Sequence, residues 1–279
     1  MIDAHHHVWD LSVRDQPWLA DEELAPIRRT FGLDDLRPSA AAAGVTGTVM
    51  VQTVTVPEET PEMLALTDPL VVGVVGWTEL TAPGIADELA RLRALPGGER
   101  LVGIRHQVQE EPDPDYLRRP DVLRGLRALA AAGLAYDLIV RPHQIPAATY
   151  AAALVPELRF VLDHAGKPLI AEGITEPWAD DIRALAALPN ASCKLSGLVT
   201  EAAPGAGPEA LAPYVDVMLD AFTPDRLMFG SDWPVSLLML PYGDVVRLSR
   251  ELVAQLSDSE QAAIFGGTAT RIYQLPQEA

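Results

Sequence analysis

Residues 2–9, with the sequence IDAHHHVW, form the first of eight short apolar runs, and three histidines lie near the end of this run. The other seven runs cover residues 45–55, 70–77, 101–108, 134–140, 159–162, 191–198 and 226–229. Runs of this length that are rich in Val, Ile, Leu and Phe favour buried strands over helices. The first run therefore predicts a buried first strand with polar groups at its C-terminal end.

Amphipathic patterns alternate with these runs and predict helices over 84–95, 121–131, 177–188 and 208–221, with further helical patterns around 245–256 and 259–273. Strands that alternate with helices indicate a parallel sheet. Eight such units in about 250 residues are typical of a closed barrel. An open doubly wound sheet usually carries a glycine-rich loop after its first strand, and HHHVW contains no glycine. We therefore predict an α/β chain that forms one (β/α)8 TIM barrel domain over residues 1–279.

Composition excludes several classes of partner. The 279 residues carry a formal net charge of −18, which disfavours binding to nucleic acid or to anionic membranes. No apolar run is long enough to span a membrane, and the N-terminus lacks the basic and apolar regions of a secretory signal. Cys193 is the only cysteine, so no intrachain disulfide is expected and a cytoplasmic location is predicted. A small-molecule substrate remains the expected partner, and a homo-oligomer stays open.

The scarce histidines and lysines lie at or just after the predicted strand ends. In a barrel of this type the active site lies at the C-terminal ends of the strands. We therefore expect one shared site, built from the polar residues that follow the runs: His5, His6, His7, Arg105, His106, Arg141, His143, His164, Lys167, Lys194, Ser231 and Asp232.

Alternation along a strand places His5 and His7 on one face, where two imidazoles can share a metal ion. His164 would supply a third nitrogen and Asp232 a carboxylate oxygen, a set that suits one divalent metal such as Zn²⁺. Asp232 could instead activate water, or merely cap the next helix. A fragment of a purification tag and a purely structural histidine pair are the alternatives for the first motif. Asp163 is expected to point away from His164, into the helix layer.

Basic side chains at the predicted mouth indicate an anionic or carbonyl-bearing substrate. Arg105, Arg141 and Lys167 are the candidates to bind it through charge-assisted hydrogen bonds. Trp9 and Trp18 are candidates for an apolar wall, with plain packing as the alternative for each. Two further alternatives are a Schiff base formed by Lys194 and a nucleophilic Cys193.

Six motifs in order along the chain resemble the amidohydrolase superfamily, and within it the amidohydrolase-2 branch that includes sugar lactonases: IDAHHHVWD, LVGIRHQVQEEPD, GLAYDLIVRPHQ, FVLDHAGKP, ASCKLSGL and FGSDWPV. The resemblance implies a (β/α)8 barrel that hydrolyses a cyclic ester. It assigns His5 and His7 to the strand-1 pair, His164 to the strand-6 histidine and Asp232 to the strand-8 aspartate. His106 matches a polar strand-4 position that faces substrate, and we place it with Asp232 and His164 as a catalytic candidate. No carboxylated-lysine bridge is evident, so the resemblance implies at most one metal.

The expected reaction is attack of activated water on the ester carbonyl of a small sugar-acid lactone, with Asp232 as the base. Catalysis without a metal is the alternative for the cofactor, because some members of the branch work without one. Two rival functions are a non-oxidative decarboxylase of the same branch and an inactive barrel that binds a carboxylate.

Overall fold

The computed structural model describes residues 1–276, so the last three residues of the predicted domain lie outside the described part of the chain. Each of the eight apolar runs contains one strand. The strands are β1 (Ile2–His6), β2 (Gly47–Val51), β3 (Val71–Gly76), β4 (Leu101–His106), β5 (Ala135–Leu138), β6 (Arg159–Leu162), β7 (Ala191–Leu195) and β8 (Leu227–Phe229). All neighbours in this order pair in parallel.

The barrel is closed where the chain beyond β8 meets β1. His6 forms a parallel bridge with Trp233, and the amide of His7 donates to the carbonyl of Trp233 over 2.7 Å. These contacts join the first and last strands, so the predicted (β/α)8 barrel is confirmed and the open-sheet alternative is wrong.

Helices follow the strands and form the outer layer. Their bounds are α1 (Leu33–Ala42), α2 (Glu59–Ala65), α3 (Ile85–Arg93), α4 (Pro120–Ala131), α5 (Ile145–Leu154), α6 (Trp178–Ala186), α7 (Pro208–Phe222), α8 (Tyr242–Leu252), α9 (Asp258–Ala262) and α10 (Thr268–Tyr273). Short 3-10 turns lie in the strand-to-helix loops, including Pro17–Ala20 and Glu22–Ile27 in the long loop after β1.

The sequence pattern did not predict α1, α2 or α5. The residues of α5, IPAATYAAAL, are apolar on every side, so no amphipathic stripe marks this helix. The pattern over 259–273 is also not one continuous helix. It breaks between α9 and α10 at a π-helical turn, Ala263–Gly267, where Phe265 and Gly266 leave helical geometry.

Two apolar layers are present. The larger packs the helices against the outside of the barrel. The smaller fills the barrel interior, where Val49, Val75 and Val161 meet Ile272 and Tyr273 from the C-terminal segment. Helix α10, unlike the helices of the outer layer, therefore packs against the residues of the barrel interior.

Among the described residues, no helix is both long enough and apolar enough to cross a membrane.

Candidate active site

Four side chains meet at the C-terminal end of the barrel. The Nε2 atoms of His5 and His7 are 3.1 Å apart. Oδ1 of Asp232 lies 3.7 Å from Nε2 of His5, 3.6 Å from Nε2 of His7 and 3.7 Å from Nε2 of His164. All four residues are buried. The structure thus brings together the four residues that the sequence proposed as ligands, and we call them the His–Asp cluster.

The backbone at the end of β6 directs His164 into this cluster. His164 and Ala165 both adopt left-handed conformations, with φ of 51° and 50°, so the regular alternation of the strand stops there. Nδ1 of His164 lies 2.9 Å from the hydroxyl of Ser196, at the end of β7. This contact fixes the ring and leaves Nε2 facing Asp232.

Asp232 is positioned by contacts with β1. It also has a left-handed φ, 56°, and its amide donates to the carbonyl of His5 over 2.8 Å. One residue earlier, the amide of Ser231 donates to the buried carboxylate of Asp3 over 2.8 Å, and Tyr242 of α8 donates to the same carboxylate over 2.9 Å. Asp3 thereby anchors the loop that carries Asp232, a role that the sequence did not reveal.

The donor set fits a divalent metal. His5, His164 and Asp232 each offer an atom within 4.8 Å of the others. Nε2 of His7 lies beside this set, 3.1 Å from Nε2 of His5 and 3.6 Å from Oδ1 of Asp232. Ligand atoms lie about 2.0–2.2 Å from zinc, so two ligands of one ion lie roughly 3–3.5 Å apart, close to the spacing found here. Nδ1 of His7 lies 2.7 Å from the carbonyl of Val51, which fixes the proton on Nδ1 and leaves the Nε2 lone pair toward the cluster.

The electrostatics of the cluster agree with this chemistry. Burial lowers the pKa of His164 to about 4 and the pKa of His5 well below its ordinary value, where the Lys194 ammonium acts in the same direction. Both rings are therefore neutral at pH 7. Oδ1 of Asp163 lies 3.4 Å from Nδ1 of His5 and can accept its proton, which leaves the Nε2 lone pair of His5 toward the cluster. Burial opposes ionisation of Asp232, but the imidazoles of His164, His7 and His5 outweigh it and hold the pKa of this carboxyl well below its usual range.

A buried ion network lies directly beneath the cluster. Nζ of Lys194 contacts the carboxylates of Asp137 at 2.5 Å and Asp163 at 2.8 Å, and lies 3.1 Å from Nδ1 of His5. Arg105 contacts Asp163 at 2.9 Å. The expectation that Asp163 points into the helix layer is therefore wrong. Asp163 follows Val161 into the barrel, and it is His164 that departs from alternation.

The two covalent alternatives are not supported by the structure. Lys194 has no exposed surface and its ammonium is occupied by two carboxylates, so its amine cannot reach a carbonyl substrate. Cys193 is also fully buried, and burial raises the pKa of its thiol far above the ordinary value. Neither residue can act as a nucleophile in this fold.

A cavity of about 1180 Å³ opens above the cluster. His7, His164 and Asp232 form part of its floor, and Arg105 and Lys167 also line it. Its lining also includes the apolar side chains of Trp18, Leu24, Val235, Leu238 and Met239 and the polar side chains of Thr53, Gln107, Gln109 and Glu110. The cavity therefore offers both apolar and polar surface around the reacting groups.

Eight of the predicted site residues do not line this cavity: His5, His6, Trp9, His106, Arg141, His143, Lys194 and Ser231. His106 turns outward, where Nε1 of Trp77 donates to its Nδ1 over 3.0 Å and its Nε2 lies 2.7 Å from Glu111. Trp9 is buried and donates to the carbonyl of Arg29. Arg141 lies at the rim beside Glu110, with its nearest guanidinium nitrogen 3.6 Å from that carboxylate.

The residues that line the cavity instead include Trp18 and Arg14, both in the loop after β1. The run of aromatic and charged residues in that loop is a weak sequence signal. This signal does not show which of Trp9 and Trp18 reaches the cavity, because the path of a long loop is set by contacts with distant segments.

The comparisons with known proteins agree with this geometry. The Amidohydro_2 family model, described as amidohydrolase, matches residues 2–275. The chain belongs to the amidohydrolase family. The predicted family and the predicted class of enzyme, a hydrolase, are confirmed.

Two curated relatives of this amidohydrolase carry the same name. L-fucono-1,5-lactonase from Burkholderia multivorans is 39% identical over 292 aligned residues, which cover 100% of this chain and 97% of the relative. L-fucono-1,5-lactonase from Burkholderia ambifaria is 38% identical over 280 aligned residues, which cover 98% of this chain and 95% of the relative.

Solved structures give the same picture. An amidohydrolase from Burkholderia multivorans with bound zinc has a TM-score of 0.91 and 37% identity, with 99% of both chains covered. A 5-carboxyvanillate decarboxylase from Sphingomonas paucimobilis has a TM-score of 0.64 at 15% identity, over 99% of both chains. The latter likeness concerns the fold alone.

Proposed function

We propose that this amidohydrolase hydrolyses the ring ester of a sugar-acid lactone of the L-fucono-1,5-lactone type. The observation that carries the proposal is the His–Asp cluster at the floor of the cavity, in a chain that matches two L-fucono-1,5-lactonases over nearly its whole length. A carboxylate surrounded by neutral imidazoles suits the activation of water beside an ester carbonyl.

Asp232 is the proposed base. It is ionised at neutral pH and its Oδ1 faces the floor of the cavity, so it can accept a proton from water as that water attacks the carbonyl. The same oxygen can return the proton to the ring oxygen when the ester bond breaks, which leaves the open hydroxy acid. His164, fixed by Ser196, keeps the carboxylate oriented through these two transfers.

The metal ligands are proposed to be His5, His7, His164 and Asp232, with Zn²⁺ as the ion. When bound, a divalent metal there would supply Lewis-acid polarisation of the carbonyl and would lower the pKa of water. Catalysis that uses the imidazoles and Arg105 alone is the alternative.

Lys167 and Arg105 are proposed to orient substrate oxygens. The ammonium of Lys167 lines the cavity and lies 2.9 Å from the carboxylate of Glu201, so it is held in place beside the cluster. Arg105 is pinned by Asp163 and by the carbonyl of Gln52, with one guanidinium nitrogen 3.4 Å from Nε2 of His5.

The roles of His106, Arg141 and Trp9 stay predictions. In the proposed arrangement these residues act from behind the cavity wall or from its rim. A cytoplasmic location, inferred from the single cysteine, is likewise a proposal.

A proton-release assay over a panel of aldonolactones tests the proposed function. The purified protein is mixed with each lactone in weakly buffered pH indicator, and released CO₂ is measured in parallel with unsaturated carboxylic acids. We expect proton release with at least one 1,5-lactone, well above the spontaneous rate, and no CO₂. CO₂ release without lactone hydrolysis would instead establish the decarboxylase, and binding without turnover would establish the inactive barrel.

A further inference from the structure

A continuous line of buried polar contacts joins the C-terminal helix to the His–Asp cluster. The hydroxyl of Tyr273, the last residue of α10, lies 2.9 Å and 2.7 Å from the two oxygens of Asp137 on β5. Oδ2 of Asp137 lies 2.5 Å from Nζ of Lys194, and the same Nζ lies 2.8 Å from Oδ1 of Asp163, which lies 3.4 Å from Nδ1 of His5 and can accept its proton. His5 then contacts His7 and Asp232 through its other nitrogen.

Each member of this line is buried, and each is tied to a different part of the fold. Tyr273, Asp137, Lys194 and His5 come from α10, β5, β7 and β1, and at most 1% of any of them is exposed to solvent. The ammonium of Lys194 also lies 5.5 Å from the centre of the Tyr273 ring. Because water is excluded, the direction of each hydrogen bond is set by protein groups alone, and such interactions are strong in a low-dielectric interior.

The ammonium is the key link in the line. Two carboxylates, those of Asp137 and Asp163, compete for Lys194, and the position of Nζ between them affects how Asp163 is held beside Nδ1 of His5. The Tyr273 hydroxyl donates to Asp137 and not to Asp163. It therefore affects how strongly Asp137 competes with Asp163 for the Lys194 ammonium. A change at α10 can therefore move the partner of Nδ1 of His5 without any contact with the cavity.

We propose that Tyr273 is a positioning residue for His5, acting through Asp137 and Lys194, so that the C-terminal helix helps to hold the His–Asp cluster in its working geometry. The predicted change in kcat rests on the proposed function, whereas the predicted change in zinc affinity does not depend on the substrate. Residues that orient a histidine ligand from behind typically change metal affinity or activity by 10–100-fold when they are replaced.

The test compares two substitutions that each remove one buried tyrosine hydroxyl. Tyr273→Phe deletes the donor to Asp137 and keeps the ring beside Lys194. Tyr136→Phe is the matched control, because Tyr136 lies on β5 beside Asp137 and, within the described residues, its buried hydroxyl has no hydrogen-bond partner. Zinc affinity is measured by competition with a chromogenic chelator, and kcat and KM are measured with the best lactone. Circular dichroism and thermal unfolding verify the fold of each variant.

For Tyr273→Phe we expect zinc affinity and kcat to fall roughly threefold to tenfold, less than for a direct partner of a ligand, with KM within about twofold. Tyr136→Phe should change none of these. Asp137→Asn cuts the line at its middle and should lower zinc affinity further, which provides a second variant. If Tyr273→Phe lowers only the unfolding temperature, or changes zinc affinity no more than Tyr136→Phe does, the positioning role is refuted. If the wild-type protein hydrolyses no lactone, the proposed function fails and the zinc measurement alone decides this inference.

Discussion

Asp232 combines features that are rarely found in one residue. It is buried, it is ionised against the cost of burial, and its backbone lies in the left-handed region at φ 56°. Left-handed conformations of residues other than glycine cost free energy and persist only where surrounding contacts enforce them. Here the contacts are hydrogen bonds to β1, through the carbonyl of His5 and through Asp3. The alternative role of Asp232 as a simple helix cap has no support in this geometry, since its Oδ1 faces three imidazoles.

Replacing Asp232 with Asn tests its role as the base. The amide keeps the shape of the side chain but cannot accept the proton of the attacking water. We expect kcat to fall by about 10²–10⁴-fold, the usual contribution of a general base. The measurement is the initial rate of lactone hydrolysis, with the unfolding temperature recorded for both proteins.

Glu110→Gln is the control for this prediction, because Glu110 also lines the cavity as a carboxylate but lies outside the His–Asp cluster. We expect Glu110→Gln to retain kcat within about threefold of the wild-type value. Near-normal turnover in Asp232→Asn would remove Asp232 from the mechanism.

The end of β6 illustrates what a strand pattern predicts and where it stops. Alternation holds for Val161 and Asp163, which both point into the barrel. It ends at His164, where a left-handed turn brings the next side chain to the same end of the barrel. The sequence proposed His164 as a ligand candidate from its position after the run. It placed Asp163 in the wrong layer because it assumed that His164 still followed the strand.

Gly197, just after β7, keeps the space that His164 needs. Its φ is +64°, and a Cβ added there would lie 2.5 Å from Nδ1 of His164. Gly197→Ala should therefore push the ring away from Ser196 and lower kcat at least tenfold, in addition to a backbone cost of about 1–2 kcal/mol for a left-handed alanine. Steady-state kinetics and urea unfolding measure the two effects.

Gly173→Ala is the control that measures the backbone strain of a left-handed alanine without a collision. Gly173 has φ +67° and no atom within 4 Å of an added Cβ, so the substitution carries the same kind of backbone strain without the collision. We expect it to lower stability by about 1–2 kcal/mol and to leave kcat unchanged. Equal losses of activity in the two alanine variants would argue against the collision with His164.

At the scale of the whole molecule, the His–Asp cluster lies across the seam that closes the barrel. Its ligand atoms come from β1 and from the ends of β6 and β8, and the loop after β8 joins β1 through the bridge between His6 and Trp233. An ion held there would tie the first and last strands together. Binding to the folded state alone stabilises a protein by an amount that grows with ligand concentration.

Zinc should therefore raise the unfolding temperature of the metal-free protein. At zinc concentrations near 100 times the dissociation constant, the expected stabilisation is about 2.7 kcal/mol. Differential scanning fluorimetry of chelator-treated protein, with and without added zinc, measures the effect.

His164→Ala and magnesium are the controls for this effect, because a chain with net charge −18 also attracts cations without a specific site. His164→Ala should lose most of the zinc-dependent shift, and magnesium should give little shift with either protein. A shift of equal size in wild type and variant would place the zinc outside the cluster.

The fold class and the four members of the His–Asp cluster could both be predicted from the order of residues along the chain. Eight apolar runs with intervening helical patterns define the barrel, and a barrel brings the ends of all its strands together, so His5, His7, His164 and Asp232 were predictable as neighbours. Their order along the chain also carried the resemblance to the amidohydrolases, which the family model confirms.

The other residues that reach the site could not be predicted in this way, because their positions depend on long-range packing. His106 turns toward Trp77, Trp18 and not Trp9 lines the cavity, and Tyr273 extends from α10 to Asp137. These outcomes depend on left-handed turns, on the path of a long loop and on contacts between residues more than a hundred positions apart. Strand periodicity describes a side chain relative to its own strand, whereas the packing of distant segments sets the partners that this side chain finally meets.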